Sequence, residues 1–122
     1  MTESPSFSED AGAVEAPVAA QLAAYNARDV DAFVEYFSLD CEVLDGAGRE
    51  LMRGREAMRA SYGRMFADSP DLNCRVVTRI VLGEYVIDEE RVTGRAGIDG
   101  EGHVAAVYRV DGGLITQVRF LR

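Results

Sequence analysis

Val30, Phe33, Val34 and Phe37 recur at i, i+3, i+4 and i+7, the period of a helix buried along one face. Asp29 stands just before that stripe, where its carboxylate can accept from free N–H groups at the helix start. The spacing predicts a helix over Asp29–Phe37. Val14, Val18, Leu22 and Tyr25 place an earlier helix over Ala13–Ala27, with Pro17 admissible only near its first turn. A third helix is expected from Arg55 to Ala67, with Met58, Tyr62, Met65 and Phe66 on one face, ended by Ser69-Pro-Asp71.

The remaining pattern is that of strands. Cys41–Asp45 runs into the loop Gly46-Ala-Gly48 and a short strand through Leu51 and Met52. After the third helix come Arg75–Leu82, Tyr85–Arg95, His103–Val110 and Leu114–Leu121. Gly83-Glu84 and Asp111-Gly-Gly113 read as turns, and the glycine-rich stretch 94–102 as a flexible loop. Helices first and then hairpin-linked strands describe an α+β fold with helices on one sheet face. Residues 1–12, rich in Ser, Glu and Asp, read as a disordered acidic tail, and 13–122 as one domain.

Composition narrows the partners. A chain of 122 residues, 48% hydrophobic and 28% charged, suits one globular domain. Its formal net charge of −8 argues against nucleic acid, since that binding requires Lys/Arg to neutralise phosphates. Arg53, Arg55, Arg59 and Arg64 cluster at helical spacing and read as a solvated face. No apolar run is long enough to span a bilayer. The acidic N-terminus lacks the pattern of a signal peptide, so a cytoplasmic location is expected. Cys41 and Cys74 are far apart and read as small strand hydrophobes. One His and two separate Cys argue against zinc, and no metal is expected.

Three segments carry a resemblance. The run Tyr25-Asn-Ala-Arg-Asp-Val-Asp-Ala-Phe33, the helix start Arg53-Gly-Arg-Glu-Ala-Met58 and Tyr108-Arg-Val-Asp-Gly-Gly-Leu-Ile115 resemble the NTF2-like superfamily, which includes ketosteroid isomerases and SnoaL-like polyketide cyclases. The resemblance spans about Glu15 to Arg122. It implies a cone of helices on a curved, mostly antiparallel sheet around a cavity, and commonly a homodimer. Compared with the isomerases, it puts the general-base aspartate on Asp45 and a supporting tyrosine on Tyr62. Gln21 and Ala106 occupy the positions of the two oxyanion donors, which therefore do not carry over.

These residues define the expected site. Asp45 at a cavity rim would have a raised pKa and take a proton next to a carbonyl; the alternative is that it serves the Asp-Gly-Ala-Gly turn. Gln21, Tyr25, Tyr62 and Tyr108 are expected as pocket residues, though tyrosines on apolar faces also serve as ordinary core. Asp88 and Glu90 share a strand face with Val86 and Val92. Facing inward they would be acids or ligand anchors, whereas the charged segment Asp88-Glu-Glu-Arg91 reads more simply as a solvated or interface face. His103 is expected at an exposed strand start. The expected function is cofactor-free proton abstraction from a small carbonyl compound by Asp45, of isomerase or cyclase type. The alternative is a non-catalytic domain that binds an apolar ligand or a protein.

Overall fold

The computed structural model describes residues 3–122, with side chains from residue 11 onward. Helix α1 spans Glu3–Asn26, α2 Val30–Val34 and α3 Arg55–Asp68. The strands are β1 (Phe37–Leu44), β2 (Glu50–Arg53), β3 (Asn73–Leu82), β4 (Tyr85–Thr93), β5 (Gly102–Asp111) and β6 (Leu114–Leu121). They form one sheet in the order β2-β1-β6-β5-β4-β3. Only β1 and β6 run parallel; every other neighbouring pair is antiparallel.

Two boundaries depart from the sequence pattern. Helix α1 starts at Glu3 rather than Ala13 and takes in most of the stretch read as a tail, while Met1 and Thr2 lie outside the described residues. Pro17 therefore sits inside this helix and not in its first turn. It leaves the Ala13 carbonyl without its usual donor, and both Pro17 and Val18 are buried. Packing outweighs the missing bond. The second departure is Phe37, which belongs to β1 and not to α2. The helix stops after five residues, and Phe37 reaches the core from an extended chain paired to Ile115. Spacing alone cannot separate these, since a residue at i+7 of a helix and the first residue of a following strand can meet the same core.

The joint between α1 and α2 is closely specified. Arg28 takes φ +54°, which lets its N–H reach the Tyr25 carbonyl and the Asp29 N–H reach that of Ala24, a left-handed helix end. Asp29 then caps α2 by accepting from Ala32 N at 3.1 Å. Asn26 turns sideways and pairs with β3. Its Nδ2 donates to the Cys74 carbonyl at 3.0 Å, and its Oδ1 accepts from the Cys74 N–H at 2.7 Å. The last turn of α1 is thus fastened to the sheet where Tyr25 faces inward.

Between helices and sheet lies a core of Phe33, Val34, Phe37, Met58, Phe66, Val86, Ile115 and Val118. Phe33 is at its centre, with ring centroids 4.7 Å from Tyr62, 4.9 Å from Phe37 and 5.7 Å from Phe66. Aromatic edges and faces at these separations add to the area they bury. Among the described residues, no helix is long and apolar enough to cross a membrane.

Candidate functional site

The helices and the sheet's inner face enclose a cavity of about 270 Å³. Its walls are mainly apolar and aromatic, including Tyr25, Phe33, Phe37, Tyr62 and Phe120. One carboxylate enters it, that of Glu90 in the middle of β4. Glu90 is buried, and no cation pairs with it among the described residues.

Strand geometry explains how Glu90 gets there. Side chains alternate across β4, so Val86, Asp88 and Glu90 point inward while Glu89 and Arg91 point out. On β5, Val104, Ala106, Tyr108 and Val110 share the inner face. The Tyr108 hydroxyl donates to Glu90 Oε2 at 3.3 Å and accepts from Gln21 Nε2 at 3.2 Å. Gln21 gives its other amide proton to the Val18 carbonyl at 3.0 Å. A buried chain Gln21–Tyr108–Glu90 thus ties α1 to β5 and β4.

Burial raises the pKa of Glu90 from 4.5 to about 7, with the nearby Asp88 charge adding to the rise. Hydrogen bonds from Cys74 and Tyr108 offset part of it. At neutral pH this carboxyl can either take or give a proton. Burial also pushes the phenols of Tyr25, Tyr62 and Tyr108 upward, so all three keep their protons and act as donors. Desolvation keeps the Cys74 thiol protonated in the same way.

Residues 18–118 match the SnoaL-like domain. The chain belongs to this family. No curated protein matches the sequence. Among solved structures, the SnoaL-like chain is similar to an uncharacterised cystatin-fold protein from Novosphingobium aromaticivorans. The two share 30% identity and a TM-score of 0.82, over 90% of this chain and 97% of that one. It is also similar to a protein of ketosteroid isomerase-like fold from Catenulispora acidiphila, solved with trimethylamine (24% identity, TM-score 0.71, 87% and 84% covered). A third is a putative polyketide cyclase from Sinorhizobium meliloti (17% identity, TM-score 0.74, 86% and 93% covered). The expected NTF2-like, cystatin-like cone is the fold of this SnoaL-like domain.

Within that domain the expected site residues separate into three places. Gln21, Tyr25, Tyr62, Tyr108 and Glu90 all line the cavity. Asp88 is fully buried on the same strand face but does not reach the cavity. Arg79 holds it through Nε–Oδ1 at 2.7 Å and Nη2–Oδ2 at 2.9 Å, and Arg79 Nη1 extends to Glu15 Oε2 on α1 at 2.9 Å. The expectation of a solvated face for Asp88 and Glu90 is therefore corrected. The charges that made this segment look solvated belong to Glu89 and Arg91, which pair outward with His103 and Glu101.

Asp45 is the larger correction. It lies outside the cavity lining, beyond the end of β1. Its Oδ1 accepts from Ala47 N and Arg49 N, each at 2.9 Å, and its Oδ2 from Arg49 Nε at 3.0 Å. These bonds, the Arg49 backbone one foremost, hold its pKa below 3.8 instead of raising it. A half-buried carboxylate whose oxygens are taken up by its own loop is a turn residue. Gln21 lines the cavity but has no amide proton left to offer a ligand, because both are already committed. His103 is half exposed and bonds Glu89 at 2.7 Å. Among the described residues no group of three or more His, Cys, Asp or Glu converges as metal ligands would.

Proposed function

We propose that this SnoaL-like domain is a cofactor-free enzyme that enolises a small carbonyl compound, with Glu90 in the role expected of Asp45. The observation that carries this reading is a buried carboxyl without a cationic partner, poised near pH 7 inside an aromatic cavity. A base matched to the working pH combines a large ionised fraction with enough basicity to remove a proton. Glu90 takes the proton from the carbon next to the carbonyl, and the C–H electron pair passes into the enolate. The oxygen that gains charge is met by phenol donors. Tyr25 and Tyr62 line the cavity and keep their protons. Each such donor is worth about 10²–10³ in rate where one has been removed from other enzymes.

Return of the proton from Glu90 to another carbon gives an isomerase. Attack of the enolate carbon on a second carbonyl of the same molecule gives a cyclase. Tyr108, held by Gln21, orients Glu90 in both.

The test is exchange of α-protons for deuterium in a panel of aryl and alicyclic ketones, followed by NMR. Glu90→Gln should slow exchange by about 10²-fold or more, while Asp45→Asn leaves it unchanged. Equal exchange in Glu90→Gln and wild type would remove the catalytic reading. A cavity that binds without reaction would remain, a role favoured by the turn geometry of Asp45. We further propose a homodimer, for which the exposed apolar Ile80 and Leu82 of β3 offer a surface. Light scattering tests it.

A further inference from the structure

The cavity is charged in a way that the chain as a whole is not. Against 21 acidic residues in the sequence there are 13 Lys and Arg, yet Glu90 is the one acid among the cavity-lining residues, which include Arg95, His103 and Arg122. His103 is engaged by Glu89. Neither Arg95 nor Arg122 takes part in an ion pair among the described residues.

Both arginines are exposed, and the chain that carries each is anchored. Arg95 lies in the segment between β4 and β5, which the glycine content marks as flexible. Its two neighbours are anchored. Gly94 has φ +78° and packs so closely on residue 71 that an added Cβ would lie 2.1 Å from the Asp71 carbonyl oxygen. The Ala96 N–H donates to the buried Ser69 Oγ at 3.0 Å. Arg122 lies over the Phe120 ring, 5.8 Å from its centroid, and Phe120 is itself a cavity wall. Burial and the Glu90 charge push the Tyr62 phenol up, and both guanidiniums pull against that shift, so their charge is felt inside.

We infer that the ligand is an amphipathic anion, its apolar body in the aromatic cavity and its carboxylate held by Arg95 and Arg122. Guanidinium presents paired donors that match a carboxylate's two oxygens. Binding in this orientation also keeps the ligand's charge away from Glu90, which repels an anion once ionised. A carbonyl elsewhere in the ligand body can then face Glu90. The inference rests on the cavity being the substrate site of the proposed enzyme, and it specifies the substrate class as keto acids with an apolar skeleton.

The experiment is calorimetric titration at pH 8 and low salt with 2-naphthylacetate and its uncharged isostere 2-naphthylacetamide. The acid should bind at least about tenfold more tightly than the amide. Arg95→Gln and Arg122→Gln should each weaken the acid and leave the amide unchanged, while Arg64→Gln on α3 alters neither. Gly94→Ala should diminish the same preference without removing a charge, because it displaces the residue before Arg95. The preference should also shrink in 0.5 M salt. An amide bound as tightly as the acid, a preference that survives the double arginine variant, or no binding of the acid would overturn the inference. Glu90→Gln separates this result from the catalytic reading, since it should slow exchange by about 10²-fold or more yet keep the preference for the acid. Normal exchange in wild type with no acid preference would discard the anchor and leave the base.

Discussion

Asp88 and Glu90 sit two residues apart on the same inward face of one strand, both buried, and they are opposite kinds of site. Asp88 is gripped through both oxygens by Arg79, which also reaches Glu15 on α1. Glu90 meets a phenol, a thiol and open cavity. Burial is common to the two, and the partner decides the outcome. A fork of arginine donors makes a buried carboxylate into a strut. Neutral donors leave a carboxyl whose charged form is costly, and that cost places its proton where chemistry can use it.

Four variants would break or sharpen that contrast. Arg79→Met has the largest expected effect, a loss of about 3–5 kcal/mol, because it strands Asp88 as an unpaired buried charge. Arg79 also pulls the pKa of Glu90 down, so the carboxyl resonance of Glu90 in this variant should titrate at higher pH than in wild type. Unchanged stability would mean that the strut carries nothing.

Glu90→Gln comes next and acts in the opposite direction. The folded pKa of about 7 exceeds the ordinary 4.5, so the unfolded chain gives up this proton first as pH rises. The folded state is then penalised progressively through pH 4.5–7 and fully above it. A rise of that size corresponds to about 3 kcal/mol. The variant should therefore be more stable than wild type by up to that amount at pH 8, with the gain gone by pH 4. Urea unfolding at the two pH values decides it, and an equal gain at both would contradict the buried-acid description.

Asn26→Ala should cost about 1–3 kcal/mol, since it leaves the Cys74 N–H and carbonyl without their partners. It should also move the Cys74 wall relative to Glu90, seen as a shifted Glu90 titration. Asp45→Asn should do least. Its carboxyl has a depressed pKa, so what it contributes is present above about 3.8 and fades only as pH falls below that value. Its pH–stability curve between 5 and 8 should run parallel to that of wild type, displaced slightly downward by a constant amount.

How much could be read from the chain varies with how local the cause is. Alternation identified the shared face of Val86, Asp88, Glu90 and Val92, because strand period is a property of the backbone. Which way the β4 face pointed was not legible. Four consecutive charged residues, 88–91, leave both faces polar, and only Arg79 opposite Asp88 resolves the direction. Asp45 was placed by comparison with the isomerases, and such a comparison cannot see that Ala47 and Arg49 take up its oxygens. Arg95 could not have been singled out. Its position depends on Gly94 meeting Asp71 and on Ser69 meeting Ala96, contacts across more than twenty residues in a stretch whose composition signals freedom.

The Asn26 clamp has a consequence for how such a cavity can change. Its amide addresses the N–H and the carbonyl of Cys74 and ignores the thiol. Any residue at position 74 offers those same two atoms, apart from proline. The wall can therefore be refitted with a different side chain beside Glu90 while the joint that holds it stays closed. A scaffold fastened by main chain is free to redecorate its interior, and one asparagine is enough to give it that latitude.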